Sequence, residues 1–295
     1  MSVAREHAPA ATVLGTGKGW LESLRSEPSL LVGGFLIVAL AVFGGLGPLF
    51  SGHDPATTDM ANRFALPGSG HWLGTDNFGR DLWVRLAAGA RVSLTIAIAS
   101  VGIAVTLGTV VGLVTGYFGG WVDMLVMRVV DVFLGFPPIV LALALVAALG
   151  PGMVNLIVSL AAVFWTEYAR VVRALTLTER ELDYVTAARA MGSSNIRILI
   201  REILPNVIGP VIVLATLGLG TAIIAESGLS FLGFGVEPPT PSWGWTLAYG
   251  ARTVRSDPWL STVAGLAIMI SVLAFNLLGE GVRERLDPRG STKRL

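Results

Sequence analysis

The chain has 295 residues, of which 53% are hydrophobic and 14% charged, and a mean hydropathy of +0.70. A soluble domain carries roughly 25% charged residues, so this composition belongs to a protein that crosses a membrane several times. The net charge of +1 gives no bulk hold on nucleic acid, and the lack of cysteine excludes disulfides, thiol catalysis and cysteine-ligated metal. His7, His53 and His71 are scattered and predict no metal cluster. Gly15-Thr-Gly-Lys18 has neither the length nor the Ser/Thr of a phosphate loop, so no nucleotide site is expected on this chain.

Residues 1–29 are polar, and 30–50 then run apolar and uncharged. At 1.5 Å per residue that run covers the ~30 Å of a bilayer core. It starts too late, runs too long and lacks the cleavage site of a signal peptide, so it reads as a retained span. Residues 51–91 form a polar loop whose turns are marked by Gly70, Gly74 and Gly79. Trp72, Phe78 and Trp83 in it suit a membrane interface. Its Trp/His/Asp/Arg mixture reads as a folded loop rather than a catalytic site.

A second span is predicted at 93–115, where Gly108, Gly112 and Gly116 form a small-residue stripe for close helix packing. A third, 124–149, contains Pro137 and Pro138, which must break or kink it. The carbonyls freed there have to face protein or water, so the kink either lines a pathway or is purely structural. Arg128 and Asp131 stand three apart near its start, a spacing at which they could pair. The fourth span, 153–175, ends in Glu167, Arg170 and Arg173. The fifth, 206–230, carries Glu226 at its far end, beyond the hydrocarbon. A Pro-rich loop with Trp243 and Trp245 at an interface leads to the sixth, 259–281, and a basic tail.

Between spans four and five lies the longest charged stretch, TERELDYVTAARAMGSSNIRILIREILP at 178–205. Thr178 and Glu181 are spaced as a capping box, and Leu182, Val185, Ala188 and Met191 recur along one face. Gly192 suits a left-handed helix end, and 193–195 suit a fresh N-cap. Pro205 suits a break or a start. The expectation is a short rigid helix with Ala187, Ala188 and Ala190 on its surface, open to close approach; an ordinary amphipathic loop between two spans is the other reading of the same pattern.

With both termini cytoplasmic, the inside segments hold fourteen Lys/Arg against six in the outside loops 51–91 and 231–258. The positive-inside rule therefore places residues 1–29, the 178–205 stretch and the tail 283–295 in the cytoplasm. The five-span core between them is 92–282.

Thr186-Ala187-Ala188, three residues, Gly192, and later Leu204-Pro205 resemble the EAA loop of ABC importer permeases, whose pattern is E-A-A, three residues, G, nine residues, I-x-L-P. Thr186 here replaces the Glu and Glu202 the Ile. The runs HWLGTDNFGRDLWVRLAAGARVSL, GYFGGWVDMLVMRVVDVFLGFPP and ESGLSFLGFGVEPPTPSWGW, in order, are similar to C-type permease subunits of dipeptide and oligopeptide ABC importers.

That resemblance implies an all-α polytopic protein with six transmembrane helices in the type I ABC importer permease architecture, in a bacterial or archaeal cytoplasmic membrane. It implies a homologous B-type permease beside this chain, two ATPase subunits below it and an extracytoplasmic binding protein above it. ATP and magnesium would sit on the ATPases; this chain would bind no cofactor or metal and perform no chemistry. The coupling loop maps to Asp183, Thr186, Ala187, Ala188, Gly192, Leu204 and Pro205. Asp131, Pro137 and Pro138 are the pathway candidates. Relatives in the family carry dipeptides, oligopeptides, nickel chelates or other small solutes. The reading from another class is a stand-alone secondary transporter using Arg128 and Asp131.

Overall fold

In a computed structural model, which describes residues 28–286 except Ser69, the chain is helical. The expectations for residues 1–27 and 287–295 lie outside the described residues. Five helices are long and apolar enough to cross a membrane, and a bent pair, counted as one broken span, brings the number to six. They are α1 (Pro28–Ser51), α2 (Leu82–Phe118), the pair α3 (Gly120–Leu134) and α4 (Pro138–Leu149), α5 (Met153–Glu179), α7 (Asn195–Phe231) and α9 (Trp259–Leu286). Two short helices lie between spans, α6 (Asp183–Ala190) and α8 (Trp243–Arg252).

The helices outrun the predicted spans because their polar ends remain helical. Asp81 caps α2, its carboxylate accepting from the Val84 N–H, so eleven residues expected in the loop or flanking it are helix. Thr178 does not cap a new helix. It lies inside α5 and its hydroxyl donates back to the Ala174 carbonyl, so the expected capping box is not formed. Pro205 does not break the chain. It sits early in α7, just after a π-helical stretch at Ile198–Ile203, where the Leu204 N–H reaches the Leu199 carbonyl. The widened turn takes up the proline ring and its missing donor.

The centre of the bundle is a backbone seam between α2 and α5. A Cβ on Gly108 would lie 2.6 Å from the Trp165 carbonyl oxygen, on Gly112 2.7 Å from that of Ala169, and on Gly116 2.9 Å from that of Arg173. The three contacts repeat every four residues on both helices, so the stripe read from the sequence is one continuous close approach. α1 docks on α9 in the same way, where a Cβ on Gly33 would meet the Leu278 N–H nitrogen at 2.4 Å. Around the seam Leu82, Leu86, Val101, Tyr168, Trp243 and Phe275 form the main apolar core.

Two side chains sit deeper than expected. Trp243 is fully buried, its ring N–H donating to the Leu86 carbonyl at 2.9 Å, and is no interfacial residue. Glu226, near the end of α7, is fully enclosed by protein rather than exposed at a membrane face. Ser93 of α2 donates to one of its oxygens at 2.8 Å, with Ser227 on the same oxygen, and Ser230 donates to the other at 2.8 Å. The carboxylate thus ties α7 to α2.

Candidate functional site

The segment between α5 and α7 is built as a rigid tip. α6 opens with Asp183 in its first turn and carries Arg189 in its last, each charge set against the favourable end of the helix dipole. It ends in a Schellman motif. Gly192 has φ +80°, its N–H bonds the Arg189 carbonyl, and the Ser193 N–H bonds the Ala188 carbonyl. Asn195 then begins α7.

Val185 and Ala188 turn inward and pack with Leu113, Val172, Ile198, Ile203 and Val207. This corrects two expectations. Ala188 is only 4% exposed and faces its own subunit, while Leu182 and Met191, at 43% and 79%, are exposed. A three-residue repeat drifts off the 3.6-residue turn, so the apolar line predicted on one face winds round to the other side. Asp183, Thr186, Ala187, Ala190, Met191 and Ile196 form the outer surface of the tip. Leu204 is half-buried and Pro205 exposed.

Polar links fasten the tip to α5 and α7 and both of these to the end of α2. The Tyr184 hydroxyl donates to Glu179 at the end of α5 and accepts from Asn206 of α7 at 3.1 Å. Burial, and then the bond to Glu179, push the Tyr184 phenol up to about 12, so it stays a donor at neutral pH. Arg180 donates to the Gly116 carbonyl at the end of α2 at 2.8 Å, and the Tyr117 hydroxyl donates to Asn195 at 3.0 Å. The Arg189 guanidinium lies 5.1 Å from the centre of the Tyr117 ring.

The second feature is the corner between α3 and α4, with a charged face shared by α3 and α5. The axes of α3 and α4 meet at 91°, with Pro137 as the N-cap of α4 and Pro138 its first residue, both exposed. The Arg128–Asp131 pair that the spacing allows does not form. Asp131 accepts from Arg170 of α5, and Asp123 from Arg173, so the two acids bind α3 to the next span while Arg128 points outward. The corner turns α3 across α5 and brings its acids against basic residues that local spacing in the sequence could not reveal. Glu167 lies midway along α5, exposed beside a cleft of about 230 Å³ lined by Tyr168, Leu214, Gly218 and Thr221. The sequence had put it at the end of its span. A wider cleft of about 790 Å³ continues along α5 and α7 to Asn206, Pro210 and Arg283.

The third feature overturns the reading of scattered histidines. His53, His71 and Asp81 converge at the opposite end of the bundle from α6, with one donor atom of each within 4.8 Å of the others.

The family model of the binding-protein-dependent transport system inner membrane component matches residues 108–291. The chain is 41% identical over 273 residues to the dipeptide transport system permease protein DppC of Alkalihalophilus pseudofirmus, covering 92% of this chain and 90% of that one. It is 39% identical over 272 residues to the glutathione transport system permease protein GsiD of Pectobacterium atrosepticum, covering 92% and 90%. It is 38% identical over 265 residues to the nickel transport system permease protein NikC of Escherichia coli K12, covering 90% and 96%. Among solved structures, an inward-facing MetNI methionine ABC transporter chain superposes with a TM-score of 0.55 at 20% identity, over 68% of this chain and 96% of that one.

Proposed function

As the chain belongs to the binding-protein-dependent transport system inner membrane component family, the permeases of ABC importers, we propose that it forms half of the translocation path of a peptide importer and takes its drive from ATPase subunits through the α6 tip. The observation that carries the proposal is the tip itself: exposed small and apolar residues on the outside, and on the inside a packed and hydrogen-bonded joint to α5 and α7 at once. A tip fastened to two spans transmits displacement rather than absorbing it. The two spans it moves border the cleft at Glu167.

In this reading the α6 tip lies in the cytoplasm with both termini, in a bacterial or archaeal cytoplasmic membrane. Two ATPase subunits bind ATP and magnesium there, and this chain needs no cofactor of its own. A homologous B-type permease covers the face of α3 and α4, with Asp131, Pro137 and Pro138 beside the path, and a binding protein docks on the loops at the His53 end. Asp183, Thr186, Ala187 and Gly192 shape the ATPase contact, with Ala188 and Leu204 supporting it from inside and Pro205 at the exposed start of the following helix. Dipeptides or oligopeptides are the favoured cargo, in line with the DppC relative; the NikC relative supports nickel chelates as the second choice. A secondary carrier would need Asp131 free to exchange its counter-ion, and Arg170 holds it.

The test uses Ala187→Asp, a charge on the exposed face of α6. Peptide uptake by cells should fall at least about tenfold with membrane levels unchanged, and the ATPases should no longer copurify. Normal uptake with ATPases retained would sink the docking role. Ala188→Asp is the wrong probe, since it buries a charge inside the subunit.

A further inference from the structure

We propose that His53, His71 and Asp81 form a binding site for a divalent transition ion of the zinc class, at the junction of α1, the 52–81 loop and the start of α2. The donor set comes from three separated stretches, yet it converges. His71 Nδ1 lies 2.8 Å from Asp81 Oδ2 and His53 Nδ1 lies 3.8 Å from the same oxygen. The imidazole rings are 5.0 Å apart, tilted by 38°. Donors held at about 2.0–2.1 Å from a tetrahedral ion stand about 3.3 Å from one another, so the spacing found here brackets the spacing required.

The division of labour on Asp81 supports the assignment. One oxygen, Oδ1, accepts the Val84 N–H and caps α2, which fixes the carboxylate; the other, Oδ2, faces both histidines. Such support is what a ligating carboxylate needs to stay in place. Asp81 is buried, His71 is half-buried and His53 is 45% exposed. The site is therefore rigid at the back and open at the front, where His53 can swing in and a water can complete the shell. Ser51 Oγ lies 2.7 Å from His53 Nδ1 and is released when the ring turns to the ion. Two imidazoles with one carboxylate suit zinc, nickel or copper and suit magnesium or calcium poorly.

An ion there would join the end of the first span to the start of the second. The competing account is that His71 only fastens the loop by hydrogen bonding to Asp81. His71→Asn separates the two, because its amide keeps a donor near the Nδ1 position but supplies no imidazole.

The full-length chain is purified in detergent with a histidine-free affinity tag, stripped with chelator, and titrated with zinc and separately with nickel against a chromophoric competitor. The expected result is one ion per chain, affinity weakened at least about tenfold by His53→Ala and by His71→Asn, and no change with His7→Ala. Melting temperatures without metal should match the parent, and zinc should raise only the parent's. Equal binding by parent and variants, or loss with His7→Ala, would overturn the site. Should the variants fail to fold, zinc-edge X-ray absorption on the parent decides: two imidazoles and an oxygen support the assignment, and fewer than two imidazoles refute it.

Discussion

α5 has two sides held by opposite means. Against α2 its carbonyl oxygens meet three glycines spaced four residues apart, with no polar side chain needed. Against α3 it has two ion pairs, one of them more than half exposed on both sides, and a helix in which Val130 alone is buried. Close backbone packing gives a seam with one geometry, because a shift of either helix along its axis drives Cα against carbonyl. Ion pairs on long side chains tolerate sliding and need water or a partner nearby. The seam holds α5 by close packing and the other side holds it by exposed charge.

The contrast breaks most sharply at Gly112. Gly112→Leu drives a side chain into Ala169 and Val172 and should cost about 3 kcal/mol or more, read as loss of folded protein by thermal unfolding in detergent. Next comes the hydrogen-bonded clasp at the far end of α7. Glu226→Ala leaves three serine hydroxyls without their acceptor and should cost about 1–3 kcal/mol, while Glu226→Gln keeps one acceptor oxygen and should cost less. A larger loss with Gln than with Ala would show that the clasp contributes nothing.

Arg170→Ala on the charged side should change stability by less than about 1 kcal/mol, since both partners are more than half exposed. Transport should nevertheless drop severalfold, and Asp131→Arg with Arg170→Asp should restore part of it. Unaltered uptake in Arg170→Ala would remove the charged face from the path. The smallest effect is at Tyr184. Its phenol is held above its ordinary value, so the folded tip keeps the proton that the unfolded chain loses. The stabilisation is complete below pH about 10 and fades as pH rises towards about 12. Tyr184→Phe should abolish that dependence, as read by hydrogen exchange at 183–190.

All six spans were legible, because long uncharged runs have few other ways to satisfy their backbone. The glycine stripe and the Gly192 terminus were legible for the same local reason: the conformation or contact they need is one that only glycine provides. What the chain order concealed was pairing at a distance. Asp131 finds Arg170, Asp123 finds Arg173 and His53 finds His71, none of which follows from helical spacing. Nor could composition tell that Trp243 is a core residue, since an aromatic beside prolines looks the same at an interface and inside. Ala188 is concealed because small size alone does not tell an alanine under the helix from its exposed neighbours Ala187 and Ala190.

The length of α7 has a mechanical consequence. Its 37 residues make a rod of about 55 Å, clasped near one end at Glu226, and under the proposed function the α6 tip drives the other end. Gly218, beside the cleft, lies about 12 Å from the clasp, whereas Asn195 lies about 46 Å from it. Rotation about the clasp then works as a reduction gear of nearly four to one. A small opening at the cleft demands a stroke several times larger at the tip, and the force delivered at the cleft is multiplied by the same ratio.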